Sequence, residues 1–171
     1  LKIPVVIGTT GWLDLYKDAC EKCIENSSAL LYASNFSLGV NIFFEINKKL
    51  ATIMNSQFDY QVEIEEIHHT QKLDAPSGTA ISLAEQISEA APRWDSWTME
   101  EEHTDTKIPI EAKRIEAVPG THRIEYKSNV DSLEIKHTAH NRKGFALGAA
   151  IAAEFIFGKQ GIYKMKDVLK F

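Results

Sequence analysis

Near its start the chain carries a short unbroken apolar run, Val5-Val6-Ile7. A run with no polar alternation reads as a strand covered on both faces, as in a parallel sheet. It ends at Gly8-Thr9-Thr10-Gly11, small residues that allow a sharp turn and the close approach of a ligand. A helical stretch from about Asp14 to Glu25 and a second apolar run, Leu30-Leu31-Tyr32-Ala33, complete a strand–helix–strand unit. Its crossover should be right-handed. Two parallel strands do not make a stable open sheet, so more strands are expected from elsewhere in the chain or from before residue 1.

The texture changes at Ser34-Asn35-Phe36-Ser37. Beyond it Leu38, Val40, Ile42, Phe43, Ile46, Leu50 and Ile53 recur at helical spacing, with Ser37 as N-cap and an end near Asn55. Tyr60, Val62 and Ile64 then alternate with Gln61, Glu63 and Glu65, the period of a half-exposed strand. That strand runs into Glu66-Ile67-His68-His69, and a loop over 70–76 leads to a helix from Ser77 or Gly78 to about Ala90. The polar stretch from Pro92 to Pro109 lacks periodicity and reads as a long loop, with Trp94 and Trp97 anchoring it or covering a site. Three strands follow at about 113–117, 122–127 and 133–137, the last two joined by a hairpin loop, Ser128-Asn129-Val130-Asp131. Four mostly antiparallel strands with two helices make an α+β layer. The tail from Phe145 to Ile156 is apolar on every side of a helix. Such a helix is buried on most faces or lacks a surface it should meet. It is expected to pack back on the opening unit, so that residues 37–142 form an insertion between 1–36 and 143–171.

Composition narrows the class. With 171 residues, 44% of them hydrophobic, the chain is too apolar for disorder and long enough to bury a core without disulfides. A net charge of −5 gives no general attraction for nucleic acid or an anionic membrane. The most apolar stretch, 144–157, is short for a bilayer and contains Glu154, and no secretory leader is expected. Cys20 and Cys23 cannot build a disulfide framework, so a reducing cytoplasm is expected. Their C-x-x-C spacing lacks the second half of a zinc site and reads as two incidental thiols.

The chemistry concentrates between Glu66 and Ala80. Ser77-Gly78-Thr79 opens a helix, where unpaired N–H groups and the positive dipole end favour a carboxylate or phosphate. Gly78 lets an anion approach the backbone, the hydroxyls of Ser77 and Thr79 can donate to it, and Lys72 adds a mobile positive charge. His68 and His69 sit where a strand ends, and adjacent extended residues point to opposite faces. One imidazole can therefore face a substrate while its neighbour supports it. Imidazole is the side chain best suited to proton transfer near neutral pH. Each residue alone is more simply a strand-end histidine or a solvated lysine; the set together describes a pocket for a small anion with a proton donor beside it.

That stretch, Glu66 to Ala80, resembles the signature of the 4-hydroxy-tetrahydrodipicolinate reductase (dihydrodipicolinate reductase) family. Gly8 to Trp12, Ala33 to Asn41 and His137 to Ala146 agree with the same family, and the similarity runs from Ile7 to Leu169. The resemblance implies a cytoplasmic two-domain enzyme of lysine and diaminopimelate biosynthesis, commonly a homotetramer held together by the sheets of its inserted domain. It uses NADH or NADPH to reduce a cyclic dicarboxylate imine. The implied fold is a partial Rossmann-like parallel βαβ unit (1–36 and 143–171, a remnant of a dinucleotide-binding domain) with an inserted mixed four-stranded sheet and helices (37–142, for substrate and tetramerisation). The implied acid/base is His68 and the implied proton donor Lys72. His69, Ser77, Gly78 and Thr79 are implied to contact the substrate, and Arg142 to reach a carboxylate. Gly8, Thr9, Thr10, Ala33, Ser34, Asn35 and Phe36 are implied to lie by the nicotinamide. The family's Gly-x-x-Gly-x-x-Gly pyrophosphate loop is not found in the 171 residues. The chain is therefore expected to be a fragment that keeps the substrate domain, binds cofactor poorly and turns over negligibly alone.

No resident metal is expected, and two other classes fit parts of the pattern. A metal-dependent lyase or hydrolase would draw on His122, His137 and His140, although alternation puts His137 on the face of Leu133 and Ile135, as a packed residue. A non-catalytic oligomerisation module would use the inserted sheet alone.

Overall fold

A computed structural model describes residues 2–100 and 105–170. The first half runs β1 (Val5–Ile7), α1 (Tyr16–Glu25), β2 (Ala29–Tyr32), α2 (Leu38–Met54), β3 (Gln61–His68) and α3 (Gly78–Ala90). The second half runs β4 (Ser96–Thr98), β5 (Lys107–Arg114), β6 (Gly120–Lys127), β7 (Ser132–Ala139), α4 (Lys143–Ile156), β8 (Gly161–Tyr163) and α5 (Met165–Leu169). The chain divides into two compact units, one of Leu1–Asn41 with Arg142–Phe171, the other of Ile42–Asn141.

In the first unit β2 lies between β1 and β8, with both pairings parallel. The further strand that the sequence demanded comes from the C-terminal end of the chain. Ala29, Leu31, Phe36, Ala152, Ile156 and Met165 are its buried cluster. Helix α4 is not buried all round. Gly148, Ala152 and Ile156 face inward, whereas Leu147 is 57% exposed. The inward stripe is narrow because α4 approaches the backbone closely. A Cβ on Gly148 would stand 1.8 Å from the carbonyl oxygen of Phe36, a contact only glycine permits.

The second unit is a five-stranded sheet in the order β4-β5-β3-β6-β7. It is mixed: β3 runs parallel to β5 and β5 to β4, while β3–β6 and β6–β7 are antiparallel. Two expectations are corrected here. The sheet has five strands rather than four and is only half antiparallel, because the segment read as one long loop holds β4 and the start of β5. No apolar run marks them: Ser96 and Thr98 flank Trp97 in the edge strand β4, and Lys107 and Pro109 flank Ile108 at the start of β5. Trp94 anchors the segment between α3 and β4 rather than covering a site: it is a core residue, 1% exposed and packed on Tyr126 at 5.8 Å. Val62, Ile64, Ile108, Ile110, Ile124 and Tyr126 form the sheet's inner face, against Leu83, Ala84 and Ile87 of α3.

Candidate active site

The register of the central sheet brings the chemistry together. On β3 the inward face reads Val62, Ile64, Glu66, His68, so the apolar period continues into a carboxylate and an imidazole. Glu66 is fully buried and His68 is 8% exposed. Directly across the antiparallel ladder Glu66 meets His122, and across the parallel ladder His68 meets Arg114 at the end of β5. Helix α3 begins just beyond, with Ser77 as its N-cap accepting from the Ala80 N–H at 3.2 Å.

The Glu66 carboxylate organises this end of the sheet. Its Oε2 accepts the Ser77 N–H at 3.0 Å, and its Oε1 accepts from Nη2 of Arg114 at 3.2 Å. Nδ1 of His68 and Nε2 of His122 stand 3.6 and 3.7 Å from Oε2. The two imidazoles meet edge to face at 5.0 Å, and His122 shares a 3.1 Å contact with the Ser77 hydroxyl. A buried carboxylate is tolerated only when paired and hydrogen-bonded, and these contacts supply that condition. Burial pushes the Glu66 carboxyl up, but His122 and the bonds from Ser77 outweigh it and bring it down to about 2. Burial, with His122 beside it, pushes the His68 imidazole down to about 4. Lys72 and Arg114 act the same way, and Glu66 opposes them. At neutral pH His68 is therefore held as an uncharged imidazole beside the Glu66 carboxylate.

Lys72 lies in the loop after β3, half-exposed, with its ammonium on both carboxylate oxygens of Asp74 at 2.7 Å. It lies close enough to His68 to affect its charge. His69 is half-exposed immediately after the end of the strand. Gly78 has nothing within 4 Å of where a Cβ would stand, so the first turn of α3 is open to a ligand there; Thr79 is half-buried beside it. The hydroxyl of Ser77 is engaged by Ala80 and His122. His68, Lys72, Ser77, Gly78 and Thr79 thus share one end of one sheet. A cavity of about 510 Å³ lined by Asp59, Gln61, Lys127 and Asn129 lies at the other end of the same strands and gathers none of them.

The residues expected beside a nicotinamide fall in the first unit. Gly8, Thr9 and Thr10 follow β1, and Ala33, Ser34, Asn35 and Phe36 follow β2, so both loops leave the carboxyl ends of adjacent parallel strands. That is where open α/β sheets bind their ligands. Gly8, Thr9, Thr10 and Ser34 are exposed, while Phe36 is buried with its ring against Gly8, where a Cβ would stand 3.0 Å away. Asn35 Oδ1 accepts the Ser37 N–H at 2.9 Å and shapes the turn into α2.

Three residues that organise the site escape a motif-based reading: Glu66 as its hub, Arg114, and His122 in this role rather than as a zinc ligand. The signal for Glu66 was present, since it occupies an apolar-phase position two residues after Ile64. Ligand atoms of Glu66, His68 and His122 lie within 4.8 Å of one another. Both oxygens of that carboxylate already accept protein donors, which disfavours its use as a metal ligand. The three-histidine grouping does not form among the described residues. His137 is a packed residue with its ring 6.2 Å from Phe43, and His140 is exposed.

Residues 39–169 match the family model described as "Dihydrodipicolinate reductase, C-terminus". The chain belongs to the dihydrodipicolinate reductase family. It is 60% identical over 167 residues to the 4-hydroxy-tetrahydrodipicolinate reductase of Christiangramia forsetii, covering 98% of this chain and 70% of that one. The corresponding protein of Methanosarcina mazei is 40% identical, with 98% and 64% covered. Among solved structures, the dipicolinate-bound dihydrodipicolinate reductase of Paenisporosarcina sp. TG-14 superposes with a TM-score of 0.70 at 27% identity, covering 95% of this chain and 62% of that one. The chain thus spans roughly two thirds of the length of these dihydrodipicolinate reductases. Among the described residues no helix is long and apolar enough to cross a membrane.

Proposed function

We propose that the unit of Ile42–Asn141 binds and protonates the substrate of a 4-hydroxy-tetrahydrodipicolinate reductase, within a cytoplasmic NADH- or NADPH-dependent enzyme of lysine and diaminopimelate biosynthesis. The observation that carries this is the placement of His68 and Lys72 around the open first turn of α3, with His68 buried and neutral. A cyclic dicarboxylate brings two negative charges. The N–H groups at the start of α3 and the Lys72 ammonium are the complementary partners, with His69 a further contact. Dipicolinate, bound by the Paenisporosarcina relative, is a dicarboxylate of that kind. The exposed loops after β1 and β2 fit the nicotinamide half of the cofactor, which supplies a hydride when bound. Hydride addition to a conjugated imine leaves an electron pair that a proton must quench. Lys72 donates that proton, and His68 acts as the acid/base that the incoming dianion charges. Ser77 keeps the helix start in place by capping it.

His68→Gln and Lys72→Ala in a protein of full family length should each lower the rate of substrate-dependent NADH or NADPH oxidation by roughly 10²-fold or more, the usual share of acid/base catalysis. Unchanged rates would leave only an assembly role for this unit. We further propose a homotetramer built through the five-stranded sheet, checked by light scattering. The 171 residues alone should bind the cofactor weakly, and an NADH titration beside a full-length relative would overturn this if the two affinities matched.

A further inference from the structure

We infer that Arg114 is the positioning residue of this site, its guanidinium tying the carboxylate between the two buried histidines to the loop that carries Lys72. The inference rests on the proton-transfer reading above and adds to it a residue whose guanidinium nitrogens all donate to acceptors of the protein itself.

The geometry is that of a clamp. Nη2 of Arg114 donates to Oε1 of Glu66 at 3.2 Å and to the carbonyl of Asp74 at 2.7 Å. Nε reaches the carbonyl of Lys72 at 3.3 Å, and Nη1 closes on the carbonyl of Lys113 at 2.9 Å. Below the clamp, the Ile115 N–H donates to the His68 carbonyl at 2.8 Å, fixing the end of β5 to the end of β3. One planar group thus holds the backbone of the loop at two carbonyls and the buried carboxylate at a third point. Asp74, whose own carbonyl is clamped, presents the carboxylate that holds the Lys72 ammonium. His68 and Lys72 are four residues apart, on a strand end and on the loop that begins with a turn bond from the Lys72 N–H to the His69 carbonyl, and Arg114 fixes their separation. A lysine at the same place would carry the charge but not the fork: one ammonium cannot serve three acceptors set in the plane of a guanidinium.

The groups facing His68 are Glu66 on its own strand, His122 on β6, Lys72 in the loop and Arg114 on β5. Glu66 favours the charged imidazole and the other three oppose it. Removing the charge at Arg114 should therefore raise the proton affinity of His68, whereas keeping the charge and losing the fork should not.

The test uses Arg114→Lys and Arg114→Gln. Arg114→Lys, which retains charge and folding, should lose about tenfold to 100-fold in kcat with KM changed less, since a displaced acid is felt chiefly in the transition state. Its His68 titration, followed by NMR of the imidazole in the substrate-free protein, should stay near the wild-type midpoint, while the Lys72–Asp74 amides lose order. In Arg114→Gln the midpoint should move upward. Arg114→Lys with kcat within twofold of wild type, or with unaltered loop amides, overturns the clamp. Wild-type activity with a dead His68→Gln and an unaffected Arg114→Lys would sink this inference and leave the proposed function standing. A wild-type protein inactive on the dicarboxylate would sink the function, and the loop amides would still decide the clamp.

Discussion

The two units of this chain handle their hydrophobic residues differently. In the first, three parallel strands of 3, 4 and 3 residues enclose a small buried cluster, and both units leave large apolar side chains more than half exposed, Leu15 and Phe157 here, Phe58 and Val130 in the second. In the second, four strands of eight residues each share one inner face with α3 and α2, and the cores of β3, β5 and β6 are sealed. A buried, ionised Glu66 is tolerable only in the second setting. A carboxylate taken out of water needs donors held in place, and donors are held in place by packing around them. The chemistry that depends on placement therefore sits on the well-packed unit. The first unit offers loops at strand ends, whose N–H and hydroxyl groups can adapt to a ligand.

The largest expected contrast is in local stability. Amide hydrogen exchange should be on the order of 10³-fold faster for Val6, Leu31 and Ile162 than for Ile64 and Ile124, since protection follows the buried contacts a segment must break to open. Equal protection would mean that the units open together and would end the comparison. The next contrast is a paired truncation. Ile64 and Leu31 are both essentially inaccessible, on the central strands of their sheets. Ile64→Ala should destabilise the second unit by about 3 kcal/mol, as expected for a large-to-small change in a sealed core. Leu31→Ala should hasten exchange at β1 and β8 and leave the denaturant midpoint of the second unit where it was.

Much of this was legible in the sequence, and the parts that were not share a cause. The strand pattern of Val62 and Ile64 and the helix that opens at Ser77 or Gly78 follow from period and local chemistry, which act over a few residues. That Ser77 caps this helix, rather than offering its hydroxyl to an anion, came from the structure. The partners of Glu66 do not follow from local chemistry. Arg114 and His122 lie 48 and 56 positions further along (114 − 66 and 122 − 66), and they meet Glu66 only once the register of β5 and β6 against β3 is set. Strand β4 was missed because its alternate residues are polar and it is only three residues long, too short for a period to declare itself. The third strand of the small sheet was missed for the same reason: Gly161-Ile162-Tyr163 has one aliphatic residue and no pattern. A sequence shows which side chains must find a partner, and the charged residue in an apolar phase was such a case. Sheet topology then chooses the partner.

The site itself should make the second unit sensitive to acid, a smaller effect than core truncation. His68 has a folded-state pKa depressed to about 4 against an unfolded value near 6.5. Between those values the unfolded chain binds the proton that the folded one refuses, so stability falls as pH is lowered through that window. The loss should be on the order of 2 kcal/mol. Glu66, held down to about 2, still contributes fully at pH 5 and releases its share only in stronger acid. Urea unfolding of the second unit between pH 7 and pH 5, above the range in which Glu66 titrates, measures this. His68→Gln should remove the larger part of the dependence and leave the smaller part that comes from His137, whose imidazole burial also pushes down. A dependence of undiminished size would place the acid-sensitive group elsewhere.

The smallest effect is the most local. Ser77 contributes two separable things: its N–H goes to Glu66 Oε2, and its hydroxyl accepts from the Ala80 N–H and touches His122 Nε2. Ser77→Ala keeps the first and removes the second. The loss should be about 1 kcal/mol, the usual value of an N-cap, with a few tenths more if His122 is left without its hydroxyl partner. Ser77→Gly restores much of a cap's stability by exposing the helix end to water, but it does nothing for His122. The difference between the two variants, read from urea midpoints, therefore separates the cap from the imidazole contact. If glycine matches wild type while alanine is 1 kcal/mol worse, the hydroxyl acts through the helix alone. If both fall equally, the bond to His122 is the part that counts, and the cluster around Glu66 is tighter than its individual contacts imply.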